Sequence, residues 1–118
     1  MILDEAVLVR SLCSRHGTEF AAKMQQARVA IAGLGGLGSN IAVALVRMGI
    51  QNLHLIDYDK VDLSNLNRQQ YVLKDIGRYK TEALQEHLLQ INPFIKLKID
   101  CLRLNVDNMA GIFAEDNI

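Results

Sequence analysis

Residues 28–40 read RVAIAGLGGLGSN: a short apolar run, a glycine-rich turn and the opening of an apolar helix. Few folds accept that succession. The run RVAIAG (28–33) suits a strand covered on both faces. The following GLGSNIAVALVRMG (36–49) predicts a helix that is apolar nearly all round and therefore buried, with Gly49 placed to cap its end. Between them, GLGGLG (33–38) satisfies G-x-G-x-x-G. Gly33 and Gly35 let the backbone turn tightly and approach a phosphate, Gly36 belongs to the same candidate cradle, and Gly38 lets the helix pack closely on the strand. Free N–H groups at the helix start favour an anion. The turn points to a nucleotide without separating NAD, FAD, S-adenosylmethionine or ATP; the bland alternative is a turn used only for packing.

The rest of the chain extends this unit. NLHLID (52–57) predicts a second strand ending in Asp57, where an acid accepts hydrogen bonds from ribose hydroxyls. From about Gly77, Leu84, Leu88 and Ile91 at i, i+4 and i+7 predict an amphipathic helix that Pro93 stops. IKLKIDC (95–101) alternates, with Ile95, Leu97, Ile99 and Cys101 on one face and Lys96, Lys98 and Asp100 on the other. That is a half-exposed edge strand, and it makes Cys101 a packed core thiol. A weaker helix, NVDNMAGIFAE (105–115), follows. Before the first strand the chain reads as helical to about Gln26, broken at RHGT, where Gly17 and Thr18 end one helix and cap the next.

Strand–helix–strand–helix–strand argues for an α/β, Rossmann-like parallel sheet with right-handed crossovers and strand order 3-2-1. The expected division is an N-terminal helical segment (1–27) and the first half of a nucleotide-binding domain (28–118). In a doubly wound sheet a fourth strand flanks the first, and the chain ends at EDNI about where that strand is due. A small complete three-stranded domain is the alternative.

Composition removes several other functions. Thirteen basic and thirteen acidic residues cancel, so no global field for nucleic acid is expected. No stretch approaches the roughly 18 apolar residues of a membrane span, and MILDEAVLV lacks the basic start of a signal peptide. A cytoplasmic location is the default. Cys13 and Cys101 form no C-x-x-C pair, so zinc is not supported. His16, His54 and His87 are scattered and read as structural or surface.

The stretch from Tyr58 to about Ile76 has no convincing helix or strand pattern, yet Val61, Leu63, Leu66 and Val72 anchor it. Loops longer than about 12–15 residues in compact domains are usually functional or disordered. This one sets Asp59, Asn65, Arg68 and Gln69 after the strand end where ligands sit in such sheets. A triphosphate would engage all four. Arg68 could offer phosphate a bidentate fork, Asp59 could hold Mg²⁺, and Asn65 and Gln69 could supply hydrogen bonds. A solvated polar loop is the alternative. Lys80 opens the next helix on the same face as Leu84, Leu88 and Ile91. A cation there opposes the helix dipole, so either an anion neutralises it or it snorkels to the surface.

Taken together, RVAIAGLGGLGSN, HLIDYDKVDLSNLNRQQY and DIGRYKTEAL resemble the ThiF/MoeB superfamily, the bacterial relatives of ubiquitin-activating enzymes. The likeness covers roughly residues 14–100 and is nearest to short ThiF-like proteins of thiamine biosynthesis. It implies adenylylation of the C-terminal glycine of a ubiquitin-like sulfur carrier protein at the expense of MgATP. It also implies ribose binding by Asp57, a metal-proximal Asp59, and triphosphate contacts from Asn65, Arg68, Gln69 and Lys80. SRHG (14–17) is similar to the segment whose arginine reaches the partner subunit's ATP site, making Arg15 a catalytic candidate beside Arg68 and Lys80 in a homodimer. His16 departs from the family's usual glutamine, and Tyr79 from a frequent proline. A further metal-binding aspartate, the zinc cysteines and the relay cysteine of relatives belong beyond residue 118. The rival functions are a nicotinamide-dependent oxidoreductase, a non-catalytic nucleotide-binding or carrier-docking module, and a tRNA-modifying dehydratase of the same superfamily.

Overall fold

The computed structural model describes residues 3–14 and 17–116; Arg15, the proposed in-trans arginine, and His16 lie outside them. Among the described residues, three strands, β1 (Arg28–Ala32), β2 (Asn52–Ile56) and β3 (Lys96–Asp100), form one parallel sheet in the order β1-β2-β3. This is the expected 3-2-1 order. Register pairs Ile31 with Leu55 and Leu55 with Ile99. Alternation therefore puts Val29, Ile31, Leu53, Leu55, Leu97 and Ile99 on one face.

Among the described residues, five α-helices accompany the sheet: α1 (Glu5–Cys13), α2 (Gly17–Gln26), α3 (Gly36–Arg47), α4 (Lys80–Ile91) and α5 (Val106–Glu115). The crossovers α3 and α4 join successive parallel strands and share one core with the apolar face. Leu84 and Leu88 of α4 and Val46 of α3 are fully buried there. Each such side chain contributes about 1.5–3 kcal/mol by leaving water. Among the described residues, no helix is long and apolar enough to cross a membrane.

Two expectations need correcting. The helix α3 buries only Ser39, Ala42 and Val46, while Leu37 and Ile41 stay 78% and 40% exposed. An apolar circumference does not bury a helix when only one of its faces meets described neighbours. Cys101 is exposed, not packed. Strand β3 ends at Asp100, so the alternation stops one residue short of the thiol. The buried cysteine is Cys13, whose thiol lies 3.6 Å from the Met48 carbonyl and docks α1 on the end of α3.

Helix α4 begins at Lys80, three residues later than the periodicity suggests. The preceding segment is occupied in pairing with the polar loop. Val61 N–H donates to the Arg78 carbonyl (2.8 Å), Gly77 N–H to the Val61 carbonyl (2.9 Å), and Lys60 forms an antiparallel bridge with Tyr79. The loop itself holds two short 3-10 turns, Leu63–Asn67 and Leu73–Asp75. Asp75, fully buried, closes the second by accepting from Val72 N–H (2.9 Å), His87 (2.6 Å) and Arg78 (3.4 Å).

Beside it, Lys74 and Arg78 each donate to Glu86 at 2.8 Å. These two bonds, Lys74 first, hold the Glu86 carboxyl down at about 2 from an ordinary 4.5. A depressed carboxylate contributes stability above its unfolded value and loses it as pH falls through the folded one. The stability difference between wild type and Glu86→Gln is therefore expected to be constant above about pH 4.5 and to vanish towards about pH 2. Urea unfolding at stepped pH reads it. The difference is small because Lys74 is exposed and Arg78 and Glu86 are only partly buried, so solvent screens both pairs.

On the sheet's other face, His54 is buried between Asp100 (2.7 Å) and Asp116, which ties the end of α5 down. Lys98 adds a bond to Glu115 at 3.1 Å.

Candidate functional site

The C-terminal ends of β1 and β2 converge on the glycine turn. Gly33 takes a φ of +94°, which an L side chain rarely adopts, and its N–H donates to the Ile56 carbonyl at 2.8 Å. The chain then doubles back so closely that a methyl on Gly38 would lie 1.8 Å from the Gly33 oxygen. That approach seats the start of α3 directly over the end of β1.

Asp57 is buried and already occupied in shaping the turn. One carboxylate oxygen accepts from Leu34 N–H and the other from Asp59 N–H, both at 2.7 Å. Tyr71 completes the brace by donating its hydroxyl to the Leu34 carbonyl at 2.6 Å. Burial first, then the charges of Asp57 and Asp75, push the Tyr71 phenol far above its ordinary range, so it stays a donor.

The polar loop folds back over the glycines. A methyl on Gly36 would sit 3.5 Å from Arg68 Cδ, and one on Gly35 would sit 3.7 Å from Gln69 Nε2. Ser39 Oγ accepts from Gln70 N–H (3.2 Å), and Asn40 donates to the Arg68 carbonyl (2.9 Å) while accepting from Gln70 (2.6 Å). The first turn of α3 thus fixes the backbone that carries Arg68 and Gln69. The Arg68 guanidinium is exposed and only loosely held, at 3.3–3.4 Å from Asn67 and the Ser64 carbonyl. Gln69 is 8% exposed, with its Oε1 buried and unpartnered.

Lys80 is 7% exposed, and no described carboxylate lies within ion-pair distance of its ammonium. Its N–H donates to the Asp59 carbonyl at 3.0 Å, which couples the start of α4 to the acid-bearing turn. Bonds from Ser64, and more weakly the Lys80 charge, hold the Asp62 carboxyl below its ordinary value. Asp59 itself is exposed on the rim. Asn65 serves the loop as well as any ligand, since its Oδ1 accepts Asp62 N–H at 2.8 Å in a reciprocal cap.

The structure therefore gathers Gly33, Gly35, Gly36, Gly38, Asp57, Arg68 and Gln69 at one place and ties Asp59 to Lys80 beside them. Several neighbours carry no motif that would mark them in the sequence. A cavity of about 180 Å³ beside Asp57 is lined by Ala32, Gly33, Ile56, Tyr58 and the segment 102–104. The rule that ligands gather at the carboxyl ends of parallel strands, applied to β3 as well as β2, singles out that segment. Among the described residues no cluster of three His, Cys, Asp or Glu side chains is placed to hold a metal.

This arrangement has counterparts. The profile of the ThiF family matches residues 9–118. The chain belongs to the ThiF family. Among curated relatives of this ThiF-family chain, the probable adenylyltransferase/sulfurtransferase MoeZ of Mycobacterium tuberculosis is 33% identical over 109 residues, covering 86% of the chain and 28% of MoeZ. Ubiquitin-like modifier-activating enzyme 5 of Caenorhabditis elegans is 39% identical over 77 residues, covering 65% and 18% respectively. Escherichia coli tRNA N6-threonylcarbamoyladenosine dehydratase, solved in complex with AMP, superposes with a TM-score of 0.88 at 30% identity, covering 98% of this chain and 48% of that one. The chain spans between about a fifth and a half of the length of these relatives.

Proposed function

We propose that the protein binds MgATP at this site for adenylylation of the C-terminal glycine carboxylate of a ubiquitin-like, ThiS-like sulfur carrier, in thiamine or related sulfur-cofactor biosynthesis. The observation that carries the reading is Lys80: a residue only 7% exposed, whose ammonium has no carboxylate at ion-pair distance among the described residues. Holding an unpaired cation on a mostly covered side chain is costly, and a polyphosphate supplies the missing counter-charge. Arg68, held above the glycine turn only by two long contacts, supplies a second cation for the same phosphates. The adenylyltransferase and modifier-activating names of the relatives agree with this chemistry, as does the ATP complex of the dehydratase.

The carrier's carboxylate oxygen attacks the α-phosphorus, a new P–O bond forms, and the bond to the departing pyrophosphate breaks. A terminal carboxyl with a pKa of about 3.5 is already ionised at neutral pH, so no general base is needed. The chain's own work is to hold the ribose near Asp57 and the phosphates between Arg68, Lys80 and the glycine N–H groups. Asp59 fits Mg²⁺, which takes one or two carboxylates from protein and fills its shell with phosphate and water oxygens. Bound there, the ion would neutralise charge on the phosphates. Homodimerisation, with Arg15 reaching the other copy's site, belongs to the same reading; the exposed Leu37, Leu63 and Leu73 offer apolar surface for it.

A second reading, ATP-dependent dehydration of a modified tRNA base, is favoured by the 42% identity over 73 residues to the Haemophilus influenzae tRNA threonylcarbamoyladenosine dehydratase. It uses the same nucleotide site and differs in the substrate presented. Two measurements separate the possibilities. MgATP, and not NAD, is expected to raise the melting temperature; the reverse result would identify an oxidoreductase. Pyrophosphate exchange into ATP is expected only with a ubiquitin-like carrier ending in glycine. MgATP binding without exchange indicates a docking module, and exchange stimulated by modified tRNA indicates the dehydratase.

A further inference from the structure

The cavity beside Asp57 has walls that are apolar apart from Asp57 and Arg103: Ala32 and Ile56 from the strand ends, Leu102 and Leu104 from the segment after β3. At about 180 Å³ it is well below the volumes, roughly 300–1,000 Å³, that enclose a whole drug-sized ligand. It suits one flat ring system, with the remainder of the ligand outside.

Arg103 stands at its edge, fixed at its backbone and only lightly held at its guanidinium. Its backbone is held, because its carbonyl accepts Asn108 Nδ2 at 3.0 Å and Asn108 belongs to the capping box that starts α5. Its guanidinium has no carboxylate within ion-pair distance among the described residues, and rests instead over the Tyr58 ring at 5.6 Å. Tyr58 is itself 51% exposed, so this is a surface cation–π contact worth about 0.5–1 kcal/mol. Opening it costs little.

We infer that Arg103 is a positioning residue for the nucleotide, leaving Tyr58 and closing its guanidinium plane onto the base held in this cavity. The inference rests on the nucleotide reading above and adds the device that holds the base. Stacked groups meet at about 3.5–4 Å, so a ring between Arg103 and Tyr58 needs about 7 Å. The observed 5.6 Å leaves no such gap, and Arg103 must swing rather than share. A guanidinium stacks on any base, so the contact adds affinity without choosing adenine over guanine.

Calorimetric titration of wild type, Arg103→Ala and Arg103→Lys with MgATP, MgGTP and inorganic tripolyphosphate tests this. Both variants are expected to raise Kd about tenfold for either nucleotide, since lysine has no plane to stack. Their Kd for tripolyphosphate is expected to match wild type, and so are their melting temperatures without ligand. Unchanged MgATP affinity in Arg103→Ala overturns the inference and leaves the nucleotide reading intact. Rescue by lysine, or weaker tripolyphosphate binding, overturns it in favour of a phosphate contact. Wild type that binds no MgATP removes both.

Discussion

Arg68→Ala is expected to lower carrier-dependent ATP–pyrophosphate exchange about a hundredfold, with little change in folding stability. Removing one charged group that stabilises a transition state costs about 3 kcal/mol, which converts to about that factor. Arg68 suits the test because the fold makes little use of its side chain. The guanidinium is exposed, its two contacts are long, and the loop is held by its backbone through Asn40 and Ser39. Lys80→Met offers the complementary case. It removes the ammonium of a residue only 7% exposed that lacks an ion pair among the described residues, so stability is expected to hold or rise while exchange falls by a similar factor. Full exchange in either variant would sink the phosphate assignment, and a collapse of stability in Lys80→Met would show the ammonium to be structural. Running both separates chemistry from folding.

Much of this site is legible in the chain because it follows from local rules. The glycine turn lies between an apolar run and a helix, and Asp57 ends the next strand; both facts need only short stretches of sequence. The burial of Lys80 follows from its spacing to Leu84 and Leu88, which are fully buried in the structure. What escapes depends on distant partners. His54 lies in an apolar strand and becomes tolerable only through Asp100 and Asp116, 46 and 62 residues away. The exposure of Leu37 and Ile41 depends on what packs outside α3, which no periodicity encodes. The walls of the base-sized cavity depend on β3 stopping at Asp100, and element boundaries are what local sequence pattern marks least. Asp62 and Asn65 are the intermediate case. Their spacing carries a cap signal, and the same asparagine also suits a phosphate, so sequence alone does not divide the two roles.

Gly38→Ala is expected to destabilise the fold by about 3 kcal/mol or more, towards or beyond the upper end of the usual range for overpacking. Alanine is intrinsically the better helix former by about 1 kcal/mol, so propensity alone gives the opposite sign. Sterics decide. The added carbon would lie 1.8 Å from the Gly33 oxygen, 2.9 Å from its carbonyl carbon and 3.3 Å from Ile31 Cγ2. Two of those atoms are backbone, and the backbone cannot yield cheaply: Gly33 N–H is bonded to Ile56, Leu34 N–H to Asp57, and the Leu34 carbonyl to Tyr71. Retreat by either side breaks the brace that shapes the site. Gly111 in α5 is the matched control, since a methyl there meets nothing within 4 Å. Gly111→Ala is expected to be neutral or stabilising by up to about 1 kcal/mol. Urea midpoints compare the two directly, and a Gly38→Ala protein as stable as wild type would show that the close approach of α3 to β1 is not what the turn requires. Gly36 divides structure from ligand on the same helix. Its methyl would meet only Arg68 side-chain atoms, at 3.5–3.6 Å, so the fold tolerates it while the space above the turn shrinks. Lost MgATP affinity at unchanged urea midpoint in Gly36→Ala would place the phosphates over Gly36, with Gly38 serving the helix–strand contact beneath.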